Sequence, residues 1–130
     1  MRAFSRYWKS SKKPKKQRKY LENAPLHIKH KFLSANLAKP LRTKYKLRNI
    51  PVRKGDKVKV MVGKFKKQLG KVDRVDLKKT RIYIEGLQAI KRDGTKVNVA
   101  IHPSNIQIQE LNLDDKERRI KIESNIKVKG

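Results

Sequence analysis

The segment GKFKKQLGK, residues 63–71, has the residue types and spacing that most directly indicate chemistry. Three of its lysines lie between Gly63 and Gly70, and a fourth follows directly. A nucleotide-binding phosphate loop ending at Gly70 would need Gly at position 65 and Ser or Thr at position 72, where this chain has Phe65 and Val72. We therefore exclude NTP binding and predict that the loop contacts RNA phosphates, with a solvated turn as the alternative. The predicted contacts are Lys64, Lys66, Lys67 and Lys71.

Other reactive side chains do not form a recognisable catalytic or metal-binding pattern. His27 and His30 are three positions apart on a predicted helix, His102 is remote, and the chain has no cysteine and no acid at ligand spacing. We predict surface or RNA-facing histidines, no metal and no other cofactor. Asp56 is predicted to shape a turn before a strand. The remaining central acids are predicted to balance local charge, and no nucleophile–base pair is present, so we predict that the chain is not an enzyme.

Composition points to a polyanionic partner. The 130 residues suffice for one domain with tails. Lys and Arg number 37 against 11 Asp and Glu, a net charge of +26 that would self-repel strongly in an isolated compact protein. Nucleic acid is the commonest such partner. No run of about 20 apolar residues predicts membrane insertion, and no signal peptide is indicated. The lack of cysteine fits a cytoplasmic protein.

The basic residues are concentrated in the first fifty positions, which hold 16 Lys or Arg and one acid. Residues 1–23 form a basic arm that contains four aromatic residues and too few aliphatic ones for a core, so we expect no regular structure when the arm is alone. Cations neutralise phosphates and aromatic rings stack on unpaired bases, so the arm is predicted to bind RNA rather than to be a solvated tail. The predicted contacts are Arg6, Trp8, Lys12, Lys13, Lys15, Lys16, Arg18 and Lys19.

Residues 24–50 are predicted to form two short helices that lead into a strand-rich region. Pro25 suits a first helical turn and Pro40 lies early in the second helix. Each helix is too short to be stable alone in water. A positive surface continues from here into the strands. Its predicted RNA contacts are Arg42, Lys44, Lys46, Arg53 and Lys54.

Residues 51–111 show the period-2 alternation of β-strands. Val58, Val60 and Val62 alternate with polar or long side chains, and a second strand over residues 71–77 loses its alternation at Asp73 and Arg74, which predicts a β-bulge. Strands follow around Ile82 and Ile84, at residues 87–91, at 96–101 and around Ile106 and Ile108. Asp93-Gly94 predicts a hairpin turn. Five or so strands with regular turns predict a small barrel.

Residues 112–130 begin with acids and continue with bases, which suits the dipole of a helix. We predict a short surface helix there, with no assigned function.

The strand region resembles a KOW motif, which forms part of a small SH3-like barrel in ribosomal proteins and transcription elongation factors. The resemblance rests on Gly-Asp-x-Val-x-Val, the basic loop, Gly-Lys-Val and a closing strand that ends in Glu-Gly. It implies a mostly β protein, with an SH3-like barrel preceded by a basic arm and short helices and followed by a short helix. The structural KOW residues are predicted to be Gly55, Asp56, Gly63, Gly70 and Gly86.

The region before the barrel narrows this resemblance to one family. The run APLHI at residues 24–28, then Ser34-Ala35, Leu41-Arg42, Lys44-Tyr45 and IPVRKGD at 50–56 resemble the archaeal and eukaryotic form of the large-subunit ribosomal protein numbered twenty-four in the universal scheme and twenty-six in the eukaryotic one. The resemblance covers residues 11–125.

Membership would imply a structural constituent of the cytoplasmic large ribosomal subunit that binds rRNA near its 5′ end, supports early assembly and lies near the peptide exit tunnel. The implied partners are large-subunit rRNA, neighbouring large-subunit proteins and factors at the tunnel exit. The hairpin at residues 91–96 is a candidate tunnel-facing feature. One alternative is a KOW-class elongation factor that docks on RNA polymerase, although such proteins usually carry a further, less basic domain. A generic nucleic-acid compaction protein would explain the charge but not the ordered KOW residues.

Overall fold

A computed structural model describes residues 11–129 of the chain. Within them lie four helices: α1 (Pro14–Asn23), α2 (Leu26–Phe32), α3 (Lys39–Tyr45) and α4 (Lys116–Lys129). The described residues also contain seven strands, with a single 3₁₀ turn at Pro103–Asn105 before the last of them. The strands are β1 (Ser34–Leu37), β2 (Asn49–Pro51), β3 (Lys57–Val60), β4 (Leu69–Asp76), β5 (Arg81–Ile90), β6 (Lys96–Ile101) and β7 (Ile106–Glu110).

The seven strands form one mixed sheet in the order β2-β1-β7-β3-β4-β5-β6. All neighbouring strands are antiparallel except β1 and β7, which run parallel. Within the described residues the ladder of hydrogen bonds is open, with β2 and β6 at its two ends. The prediction of a mostly β protein with short N-terminal helices and a C-terminal helix is confirmed.

The segment before the predicted barrel contributes two strands that the sequence analysis missed. The sequence predicts only a break between two helices at residues 34–36, whereas the structure pairs Ala35 with Ile50 and Leu37 with Ile108. Ala35 and Leu37 are buried and Asn36 between them is exposed, which is strand alternation. Four residues are too few for that period to stand out in a sequence.

The predicted bulge in β4 is confirmed. The register between β4 and β5 shifts between Val72 and Arg74, the point at which the alternation is lost in the sequence. By contrast, the expectation that Val62 continues β3 inward is wrong. The strand ends at Val60, whose carbonyl accepts the Lys67 N–H at 2.7 Å, and Val62 is 59% exposed.

β5 is one bent strand where two were predicted. Its pairing with β6 shifts register between Tyr83 and Gln88, and Gly86 lies within that interval. The hairpin predicted at Asp93-Gly94 is present, although its loop is longer than two residues. Lys91 N–H donates to the Thr95 carbonyl at 2.9 Å, and Gly94 N–H donates to the Lys91 carbonyl at 3.0 Å.

The hydrophobic core is formed by side chains of the sheet together with residues from outside the predicted barrel. Isoleucines and valines of β3, β4, β5 and β7 pack with Leu33 at the end of α2, Leu37 of β1 and Ile122 of α4. Since the barrel strands alone would bury a small apolar area, these three side chains enlarge the core on which the fold depends.

A helix forms within the arm, where no regular structure was expected. α1 begins with Pro14 at its first turn, a position that favours proline. No residue of α1 is buried, and its described ring contact joins Tyr20 to Phe32 of α2, with centroids 6.0 Å apart. Arg6 and Trp8 lie outside the described residues.

α4 is the short surface helix that was predicted, and most of its side chains are exposed, but it also packs two residues into the protein, which was not predicted. It begins at Lys116, and it buries Arg118 and Ile122 against the sheet. Among residues 11–129, none of the helices has both the length and the apolar character needed to cross a membrane.

Candidate nucleic-acid interface

Asp56 is the residue around which the turn before β3 is built. Its side chain is fully buried, and its Oδ2 accepts the Arg53 backbone N–H at 3.0 Å. The predicted turn-shaping role is therefore confirmed. Asp56 Oδ1 also accepts the Asn112 N–H at 2.9 Å, so the same carboxylate fixes the chain where it leaves β7.

Arg118 of α4 binds that carboxylate with two nitrogens. Nη1 donates to Asp56 Oδ1 and Nη2 to Oδ2, each at 2.7 Å. Nη1 also donates to the Asn112 carbonyl at 2.9 Å and Nη2 to the Pro51 carbonyl at 3.2 Å. This buried pair ties the last helix to the first turn of the strand region. Nothing in the sequence distinguishes Arg118 from the other basic residues, so its role could not be predicted.

The Arg53 side chain is partly exposed, and its guanidinium forms an ion pair within the protein. Its Nη1 pairs with Asp115, and the Arg53 guanidinium beside Asp115 holds the pKa of that carboxyl below its usual value, aided by the Glu117 backbone N–H. Lys54 next to it is exposed. An RNA contact by Arg53 therefore has to share the guanidinium with Asp115, whereas the Lys54 ammonium group forms no ion pair within residues 11–129.

Two glycines predicted to be structural have close neighbours that explain them. Gly55 has φ +92°, and a Cβ there would lie 2.3 Å from Asn112 Nδ2. Gly70 is not among the glycines with positive φ. A Cβ at Gly70 would instead lie 2.6 Å from Ile84 Cγ2 and 3.1 Å from the Glu85 carbonyl. Gly63 and Gly86 have positive φ with open space around them.

The lysine loop between β3 and β4 is held in shape by its own turns. Lys66 N–H donates to the Gly63 carbonyl at 3.1 Å and Gln68 N–H to the Phe65 carbonyl at 3.1 Å. Phe65 is half-buried and packs against the core, which anchors the middle of the loop. Lys64, Lys66 and Lys67 are all exposed. Because the backbone is already fixed, these lysines are presented from an ordered loop.

The positive surface continues from this loop onto the sheet. Lys71 of β4 lies directly opposite Lys57 of β3, and both side chains are exposed. Like charges at directly opposed positions destabilise a sheet. Lys57 is partly offset by Glu110, 3.8 Å away, but Glu110 is itself largely exposed. An anion bound over this pair would relieve the repulsion. Lys57 was not among the predicted contacts.

The predicted contacts of the arm that the structure describes lie on or just before α1. All six of those within the described residues are exposed, and the helix has one acid, Glu22. Lys15 and Lys19 are four positions apart on α1, and like charges at this spacing destabilise a helix. The six are Lys12, Lys13, Lys15, Lys16, Arg18 and Lys19.

The contacts predicted on α3 differ from one another in the structure. Arg42 is half-buried and its Nε donates to the Leu37 carbonyl at 2.7 Å, so part of its guanidinium supports the fold. Lys44 is exposed and its Nζ lies 5.2 Å from the centre of the Tyr45 ring. Lys46 ends the helix with φ +55° and is exposed.

Metal-ligating geometry does not occur in the described part of the chain, where no group of three or more His, Asp or Glu side chains could hold an ion. His102 instead accepts the Ser104 N–H at 3.2 Å through Nδ1 and caps the 3₁₀ turn. Burial lowers the pKa of His102, with a further contribution from Arg81. His102 therefore has a structural role in the turn before β7.

Sequence comparison separates the families that share a KOW motif. Residues 11–125 match the family of ribosomal proteins called L26 in eukaryotes and L24 in archaea. The chain belongs to this family. The match spans α1 to most of α4, so this ribosomal family accounts for the helices as well as the strands. The resemblance stated from the sequence is confirmed.

Two archaeal relatives agree with the family assignment. The chain is 50% identical over 109 residues to the large ribosomal subunit protein uL24 of Korarchaeum cryptofilum, covering 84% of this chain and 83% of the relative. It is 45% identical over 108 residues to the protein of the same name from Methanosphaera stadtmanae, covering 83% of this chain and 92% of the relative. Membership of the ribosomal family leaves the elongation-factor alternative without support.

Proposed function

We propose that this chain is a structural constituent of the large ribosomal subunit and binds rRNA through exposed lysines and arginines. The function is structural, and no catalytic step is assigned to it. The observation that carries the RNA-binding surface is the ordered loop at residues 63–70, together with the directly opposed pair Lys57 and Lys71. Its fixed backbone and exposed ammonium groups suit phosphate oxygens.

Charge neutralisation supplies the affinity in this mechanism. Each phosphate that a lysine neutralises releases condensed counterions, so binding weakens linearly with the logarithm of the salt concentration. The ordered loop lowers the entropy lost on binding because its backbone is already fixed. Exposed cations of α1 and α3 extend the contact area, and the arm is proposed to run between RNA segments that would otherwise repel each other.

The strand region is proposed to take the SH3-like arrangement of a KOW domain. Support comes from the bulge in β4 and the register shift in β5, because bulges bend a strand and increase its local twist. In this organisation residues 1–23 are the arm, 24–50 the connecting segment, 51–111 the KOW domain and 112–130 the C-terminal segment.

The site on the ribosome is proposed from the family alone. It comprises the 5′ region of the large-subunit rRNA, the neighbourhood of the peptide exit tunnel and a role in early assembly in the cytoplasm. Neighbouring large-subunit proteins and factors at the tunnel exit are the further partners. The hairpin at residues 91–96 is exposed and carries Lys91 and Arg92, which suits a projecting feature.

Hydroxyl-radical footprinting on purified large-subunit rRNA tests the proposal. We expect the full chain to protect a discrete set of nucleotides in the 5′ region, at protein concentrations at which small-subunit rRNA shows no discrete protection. Equal, unlocalised protection of both RNAs would contradict a specific structural role and would favour generic compaction.

A further inference from the structure

A cavity lies where α2, β2 and α4 meet, away from the lysine loop. Its volume is about 290 Å³, and its polar lining includes His30, Asn49, Arg53, Arg118 and Lys121. That volume is about twenty times the ~15 Å³ that one water molecule needs, so a group larger than a water fits. His30 and Arg53 also line a second cavity, beside Arg74. The two cavities therefore share these two residues in their walls.

One donor in this lining has no hydrogen-bond partner within residues 11–129. The Arg118 side chain is 4% exposed, and its two terminal nitrogens are used by Asp56 and by backbone carbonyls. Its Nε is buried and unpaired. A buried charged donor without a partner is costly, and an acceptor that reached it from the adjoining cavity would stabilise the protein.

The electrostatic potential around His30 favours an anion. Burial lowers the pKa of His30, and Arg53, Lys121 and Arg118 lower it further because each repels the imidazolium form. The carboxylates nearby offset this in part. Asp56 is engaged by Arg118 and Asp115 by Arg53, while Glu117 lines the cavity itself and Asp73 lines the neighbouring one.

We propose that the cavity between α2, β2 and α4 binds a phosphodiester group of the RNA backbone. The proposal rests on the rRNA-binding function above and adds a second contact site, remote in sequence from the lysine loop. Lys121 supplies an exposed ammonium group at the cavity, and Arg118 Nε–H, enclosed in the cavity wall, is a donor without a partner within residues 11–129. The buried pair Asp56–Arg118 thereby has two consequences, since it holds α4 in place and positions the wall of the phosphate site.

His30 provides a local probe of the site. A bound phosphate stabilises the imidazolium form, so the pKa of His30 should rise on binding, while that of His102 should not follow. NMR titration of the three imidazole rings in the full chain, with a short oligouridylate at constant ionic strength, measures this directly. A parallel titration with inorganic phosphate separates an RNA site from a free-phosphate site.

Two exposed neighbours on α4 give opposite charge changes for the test. We expect Lys121→Gln to weaken the binding reported by His30 about three- to fivefold, the effect of one exposed charge contact. Glu117→Gln should strengthen it about two- to threefold by removing the carboxylate from the lining. Lys127→Gln, an exposed lysine of the same helix outside the cavity, is the matched control and should change it by less than either.

The outcomes are distinct. A saturable rise in the His30 pKa with oligouridylate, altered in these two directions, supports the proposal. Saturation by inorganic phosphate but not by oligouridylate would overturn the RNA assignment. An equal rise in the pKa of His102, or no rise in that of His30, would overturn the site. If oligouridylate binds without changing the His30 pKa, this cavity is not the binding site and the rRNA-binding function still stands. If the full chain binds no RNA at all, that function is contradicted.

Discussion

Asp56 and Arg118 form a bidentate ion pair, with both N–O distances at 2.7 Å, between the turn before β3 and the first turns of α4. The two residues are 62 positions apart, and their side chains are 0% and 4% exposed. Every Asp56 oxygen also accepts a backbone N–H. A charge pair this deeply buried is costly to break by removing one partner, because the other charge is left without compensation.

Replacing Arg118 with Ala should therefore lower the free energy of unfolding by about 3–5 kcal/mol, because the Asp56 carboxylate stays buried without its counter-ion. Urea unfolding followed by circular dichroism measures this. Arg119→Ala is the matched control, since Arg119 is exposed on the same helix. Its change should stay within about 0.5 kcal/mol. Equal stabilities of the two variants would show that the ion pair does not hold α4.

Replacing Gly70 with Ala or Val should destabilise the sheet by about 1–3 kcal/mol or more, because the new Cβ would lie 2.6 Å from Ile84 Cγ2. Thermal unfolding checks this. Leu69→Ala removes an exposed side chain from the neighbouring position and should change stability far less. A Gly70→Val variant that unfolds at the wild-type temperature would mean that β5 does not approach β4 this closely.

The strands of the KOW region were predictable because their alternation and punctuation are local. The bulge in β4 was found from the loss of period at Asp73 and Arg74, and the register shift is where it was expected. β1 was missed because four residues give too short a period, and pairing with β2 and β7 decides its conformation. Tertiary pairing thus overrode the weak local signal.

Replacing Lys64, Lys66 and Lys67 together with Ala should weaken binding to large-subunit rRNA. The slope of log K against log salt concentration should also fall by about 0.7–0.9 for each phosphate that the variant no longer neutralises. Filter binding over a salt series measures both quantities. The control replaces three exposed lysines of two other turns, Lys78, Lys79 and Lys91. An equal decrease in slope for the control would mean that total charge, rather than this loop, determines the binding.

Mild acid should destabilise the folded chain through His30 and His102. Burial is the largest cause of the lowered pKa of each, so the unfolded chain binds protons more readily than the folded one. Stability contributed by the neutral rings is fully present above pH 6.5, the ordinary value, and is lost as the pH falls through 6.5 towards the lowered pKa values. Urea midpoints across this range should therefore fall less for His30→Gln than for the wild type. Identical pH dependence in His30→Gln and the wild type would contradict the assignment.

The candidate site was predictable in part. Lysines bounded by Gly63 and Gly70 identify a basic loop from the sequence alone, and the structure presents them exposed as expected. Residue type alone does not distinguish Arg42 and Arg53 from the other cations. In the structure, Arg42 donates to the Leu37 carbonyl and Arg53 forms an ion pair with Asp115. The opposition of Lys57 and Lys71 depends on strand register, which side-chain alternation does not fix across a loop.

Sedimentation of the protein from a cell lysate under increasing salt tests the central claim most directly. If the chain is an rRNA-bound structural constituent, it should travel with the large ribosomal subunit in stoichiometric amounts and remain there into salt concentrations that strip loosely bound factors. Release into the soluble fraction at low salt, or sedimentation with RNA polymerase instead, would contradict it.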